Sequence, residues 1–146
     1  MPAQPLRLRA EDTTDLTVLA AALQDAIFVV GDLAFDARER RFIASVNRFR
    51  WEDTRRHGPY ERVRAALSVE TVLGVKSRKL RLGARDAAGS LLDIQFVVGA
   101  ELPGGALNLK LGGGGEISLD VECIDVTLTD VGAPWPTPNR PDHERA

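Results

Sequence analysis

The stretch Val63-Arg64-Ala65-Ala66-Leu67-Ser68-Val69-Glu70-Thr71-Val72 decides the fold. Val63, Ala65, Leu67 and Val69 alternate with Arg62, Arg64, Ala66 and Ser68, which is the period-two pattern of a strand with one face on a core. Across Glu70 the apolar phase slips from i+2 to i+3, as a β-bulge or a strand turning a corner requires. The same form, Leu-x-Val-Glu-x-aliphatic, returns at Leu119-Asp120-Val121-Glu122-Cys123-Ile124, and Phe49-Arg50-Trp51-Glu52 carries a related ending. Upstream of the two full copies, Phe28-Val29-Val30-Gly31 matches Phe96-Val97-Val98-Gly99. The recurrence suggests two similar β-rich halves, the first with an insertion; chance identity over so few residues is the plain alternative.

Working outward, short β-branched runs dominate. Ile27–Val30, Leu33–Phe35 and Arg41–Trp51 read as a meander, and Leu92, Ile94, Phe96 and Val98 as another half-buried strand. Leu107, Leu109 and Leu111 lead into Gly112–Gly115 and out through Ile117, Leu119 and Val121, a hairpin on a glycine-rich turn. The one helical pattern lies near the start. Glu11–Asp15 supplies capping side chains and early negative charge, and Leu16, Leu19, Ala20, Leu23 and Ile27 follow at helical spacing, so a helix is expected over about 13–25. The proline-rich stretch Pro134–Pro141 is expected to leave the sheet. The expected class is therefore α+β: an N-terminal helix packed on a curved, mostly antiparallel sheet or partly closed barrel of about seven to nine strands. Residues 1–133 form a single globular domain in this reading, and 134–146 a proline-rich tail.

With 146 residues, 44% of them apolar, the chain can bury one core and is too short for two ordinary domains. The start lacks the apolar stretch of a secretory signal, and no apolar run approaches the ~20 residues of a membrane helix, so a cytoplasmic location without membrane association is expected. A single cysteine, Cys123, excludes an internal disulfide framework and, with only two histidines, a Cys/His zinc cluster. No cofactor and no metal are expected.

The net charge of −2 conceals a segregation. Residues 38–85 hold 14 Lys/Arg against 5 Asp/Glu, a net of +9, whereas residues 1–37 net −4 and residues 86–146 net −7. A basic middle interleaved with Phe49, Trp51 and Tyr60 has the chemistry of a surface for an anionic partner, nucleic acid or acidic protein, because arginine pairs with phosphate and carboxylate and rings stack on bases. The binding candidates are Arg48, Arg50, Trp51, Arg55 and Arg56. The alternative is that basic strands of the first half lie beside acidic strands of the second and neutralise them within the fold, which the acidic pI of the whole favours.

Candidate acid/base residues are His57, in a polar loop, and Glu70 and Glu122, at equivalent points of the repeat, where they would work as a protonated and ionised carboxylate pair. The ordinary role for each glutamate is to accept backbone N–H groups freed at its corner, and a lone loop histidine is ordinarily solvated. Cys123 sits in an apolar strand and reads as a structural thiol. The glycine run precedes Glu116 and a strand instead of Lys-Ser/Thr and a helix, so it is no phosphate cradle. The absence of a nucleophile elbow, a zinc-protease helix, a dinucleotide fingerprint or an EF-hand loop weighs against an enzyme. A binding module with a basic face leads, ahead of a small acid/base enzyme and of a homo-oligomer joined through strand edges or Trp135.

Taken together, Leu23-Gln24-Asp25-Ala26, Gly31-Asp32-Leu33-Ala34-Phe35, Asn47-Arg48-Phe49-Arg50-Trp51-Glu52, Val121-Glu122-Cys123-Ile124 and Pro134-Trp135 span nearly the whole chain. In these features the sequence resembles a short bacterial family catalogued as a domain of unknown function. The resemblance implies a stand-alone cytoplasmic domain of about this size and transfers no activity, ligand or catalytic residue.

Overall fold

Asp12 begins the helix as the capping pattern requires: its side chain accepts a hydrogen bond from the Asp15 backbone N–H at 2.7 Å, satisfying a donor that the first turn leaves free. In the computed structural model, which describes residues 4–52, 60–138 and 140–141, helix α1 spans Thr13–Leu23. Leu16, Leu19, Ala20 and Leu23 form its buried stripe. The helix stops where Gln24 turns extended and Asp25 takes a positive φ of 62°. Among the described residues no helix is long and apolar enough to cross a membrane.

Eleven strands among the described residues, one before the helix and ten after it, form one antiparallel sheet. They are β1 (Arg7–Ala10), β2 (Ala26–Val29), β3 (Leu33–Asp36), β4 (Arg41–Phe49), β5 (Tyr60–Val69) and β6 (Val72–Arg78), then β7 (Ala88–Val98), β8 (Gly105–Leu111), β9 (Glu116–Val121), β10 (Val126–Asp130) and β11 (Trp135–Thr137). Their spatial order is β1-β10-β5-β4-β2-β7-β8-β9-β6, with β3 paired to β4 and β11 to β5. The sheet curls around a core built from the inward rows of the long strands, such as Phe42, Ala44 and Val46 on β4 and Ala65, Leu67 and Val69 on β5. Helix α1 packs on β7, β1 and β4. Of the two expected forms, the curved open sheet is the one observed; it does not close into a barrel. Among the described residues β3 and β6, like β1 and β11, have a single neighbour and keep one edge unpaired.

The repeated motif sits at two crossed corners. Strand β5 runs through Glu70 and Thr71 into β6, and β9 runs through Glu122–Asp125 into β10. Each continuation pairs with the other copy: Val69 lies opposite Val126, and Val72 opposite Val121. The series β4–β5–β6 and β8–β9–β10 thus have the same connectivity, with their last strands exchanged, which is the arrangement two similar halves would give.

Two readings need correction. The proline-rich stretch does extend the sheet, since Trp135, Pro136 and Thr137 pair with Arg62, Glu61 and Tyr60. Proline is tolerated there because β11 has only β5 as neighbour, so the missing N–H is not required on its other side. Strand β1, short and near the start, escaped the pattern reading, although Leu8 and Ala10 pair with Leu128 and Val126.

Candidate functional site

Arg48 occupies the last inward position of the row Phe42, Ala44, Val46 on β4, and Asp130 the last inward position of the row Val126, Leu128 on β10. The pleat therefore drives both side chains inside, where Arg48 is 0% exposed. Its Nε and Nη2 donate to Asp130 Oδ1 and Oδ2, both at 2.8 Å, and its Nη1 and Nη2 donate to Glu52 Oε1 and Oε2 at 2.9 and 2.7 Å. Asp130 Oδ2 also accepts the Leu6 backbone N–H at 2.8 Å. Burial alone would lower the Arg48 pKa and raise those of Glu52 and Asp130. The hydrogen bonds and charges within the cluster outweigh it, holding the guanidinium above its ordinary range and both carboxylates below theirs.

Around this centre, Arg50 bridges to Glu61, and Trp51 donates its indole N–H to Gln24 O at 2.9 Å. The Trp51 ring lies 4.6 Å from that of Phe49, and the Arg140 guanidinium stands 5.5 Å from its centroid. Arg48, Arg50 and Trp51 are thus brought together, as scaffold for the chain at 48–52 and not as an open face. For Arg48 the reading as a surface contact is corrected, because a fully enclosed, doubly paired guanidinium offers no donor to a partner. Arg55, Arg56 and His57 lie outside the described residues.

The two repeat glutamates do not form a carboxylate pair. Arg41 Nε donates to Glu70 Oε1 at 2.6 Å, and Arg40 Nη1 donates to Glu122 Oε1 at 2.9 Å. Nor do they accept the corner N–H groups, which bond to backbone instead: Glu70 N–H to Asp125 O and Glu122 N–H to Thr71 O. Cys123 is half-buried beside Thr71, with 3.8 Å between Sγ and Oγ1.

Charge is neutralised over one part of the basic middle and left free over another. Arg64 bridges to Asp32 and Arg78 to Glu116, adding to the pairs of Arg40, Arg41, Arg48 and Arg50. Among the described residues Lys76, Lys79 and Arg81 bridge to no carboxylate, and Lys79 and Arg81 are exposed. These cations lie along β6 and the segment after it. Between β3 and β6 the open sheet leaves a groove of about 250 Å³ lined by Phe35, Phe42, Val75, Leu80, Leu82 and Ile117. Leu82 is 62% exposed, an apolar side chain held against that groove. A larger hollow of about 570 Å³ lies by Val97–Ala106, with Glu101, Asp120 and Glu122 on its wall. The charged residues on that wall are all acidic, and Glu122 is already engaged by Arg40. The groove beside β6 has an apolar floor and a strand edge unpaired among the described residues, with unbridged cations on the other face of that strand and just beyond it, and it is the stronger candidate. No cluster of three or more metal-ligating His, Cys, Asp or Glu side chains occurs among the described residues.

The architecture defines an α+β protein with one helix on an open antiparallel sheet. The chain belongs to the family described as "Protein of unknown function (DUF2948)", whose model matches residues 6–143. No curated protein and no solved structure matches it.

Proposed function

We propose that this protein is a non-catalytic binding module of the cytoplasm that holds an acidic protein partner along residues 76–85. The observation that carries the reading is the run Lys76, Lys79 and Arg81, unbridged among the described residues on and just beyond the strand that edges an apolar groove, while Arg48 and Arg50 are neutralised inside the fold. Two features favour a protein over a nucleic acid. The groove is floored by aliphatic and phenylalanine side chains that suit apolar residues. Trp51, the ring best suited to stack on a base, already packs on Phe49 and carries Arg140. The enzyme reading loses support because Glu70 and Glu122 each engage an arginine. Self-association through β6 is opposed by Lys76 and Arg78, since two copies of that edge would bring like charges together.

The test is fluorescence anisotropy with a labelled peptide rich in glutamate and leucine, at about 50 and about 200 mM salt, a range over which exposed charge pairs are progressively screened. Binding that weakens with salt, and that falls about tenfold or more in the triple variant Lys76→Glu, Lys79→Glu, Arg81→Glu, supports the reading. Binding indifferent to both salt and charge reversal, or found only with RNA and DNA oligonucleotides, overturns it.

A further inference from the structure

We infer that the partner binds as an added β-strand on the free edge of β6, with apolar and acidic side chains in strict alternation. This rests on the binding reading above and specifies its geometry. Among the described residues strand β6 pairs with β9 alone, and beyond Val72, whose N–H donates to Arg40 O, the backbone groups on its other side are open to a new strand. Among the described residues the segment Leu73–Arg78 makes no backbone hydrogen bond outside that pairing.

The pleat dictates what each position of an added strand would meet. Val75 and Ser77 lie opposite the buried Leu119 and Ile117, so they point to the inner face and line the groove. Lys76 and Arg78 lie opposite Ser118 and Glu116 and point to the outer face. Paired residues share a face, so a strand laid along this edge places one set of side chains over the groove and the other beside Lys76 and Arg78. The groove set must be apolar to pack on Phe35, Leu80 and Leu82. The outer set must be acidic, because Lys76 is unbridged among the described residues and Arg78 shares Glu116 with Lys110. Lys79 and Arg81, just beyond the strand, extend the attraction past its end. Charge complementarity thus selects an acidic strand over a second copy of this edge, and the apolar floor selects alternation over a simple acidic run.

Four peptides of about eight residues, the length of an ordinary strand, test this on the full chain. One alternates glutamate with valine or leucine. The second has the same composition with its glutamates in a block. The third and fourth are the alternating peptide N-methylated at every second residue, one in each phase. The alternating peptide should bind about tenfold tighter than the block peptide, and N-methylation in one phase only should remove about tenfold, the effect of losing a few strand hydrogen bonds. Amide hydrogen exchange should slow over Leu73–Arg78 in the complex. If all four peptides bind alike with salt-dependent affinity, strand addition is wrong and the acidic-partner reading stands. If none binds even at low salt, both fail together. If an uncharged alternating peptide binds as tightly as the acidic one, the alternation of charge is wrong.

Discussion

Arg48 shows how a single position sets the balance between charge and core. Its guanidinium makes its bonds to Asp130 and Glu52 while wholly buried, so each partner depends on the other for solvation. Arg48→Met alone leaves Asp130 buried without its cation and should destabilise the protein by about 3–5 kcal/mol in urea denaturation. The double variant Arg48→Met with Asp130→Leu should recover most of that loss, since a packed apolar pair avoids the desolvation penalty. The same cluster sets an acid limb. Folding lowers the pKa of Asp130 and Glu52 below their ordinary 3.8 and 4.5, so their contribution is complete above those values and is lost as pH falls through the depressed folded ones. Stability measured against pH should therefore fall below about 4.5, and Asp130→Asn should flatten that fall. Much of this centre was legible: Arg48 has the parity of Phe42, Ala44 and Val46, and Asp130 that of Val126 and Leu128. Reading Arg48 by its charge and not by its parity placed it on the surface. The partners that engage Glu70 and Glu122 were not legible, because Arg40 and Arg41 reach them only through the pairing of β4 with β5 and the crossing of the corners.

At the scale of elements, the strands with strict alternation and the hairpin through Gly112–Gly115 were readable from local pattern. The φ values of 79° at Gly113 and 86° at Gly114 explain the glycines there. What local pattern could not give was which edges stay open, since that follows from partners distant in the chain. Two glycines separate packing from edge. A Cβ on Gly105 would stand 2.3 Å from Val97 O and 2.7 Å from Phe96 Cζ, so Gly105→Ala must push β8 from β7. It should cost about 1–3 kcal/mol in chemical denaturation, the range for overpacking. A Cβ on Gly74 of β6 would meet nothing within 4 Å, and Gly74→Ala should change stability by no more than about 0.5 kcal/mol. If Gly74→Ala proved the worse of the two, the open edge of β6 would be in question.

Over the whole molecule, the charge segregation visible in the sequence divides into a neutralised part and a free part, and only the arrangement of strands decides which is which. Arg48, Arg50 and Arg64 meet Asp130, Glu61 and Asp32, whereas Lys79 and Arg81 follow a strand with no further neighbour among the described residues. Charge reversal at Lys79 and Arg81 should therefore leave the unfolding midpoint nearly unchanged, as for exposed unpaired charges, while weakening partner binding. The crossed corners bear on how the chain assembles itself. Strand β5 needs β10 and strand β9 needs β6, so neither half carries all the partners for its own strands. A chain severed within residues 100–104 should give two pieces that show little ordered structure alone by circular dichroism and regain it when mixed in equal amounts. For the intact chain, the same interlock defers the stabilising contacts until distant segments meet, which makes for slow, all-or-none folding and leaves no stable half-folded state.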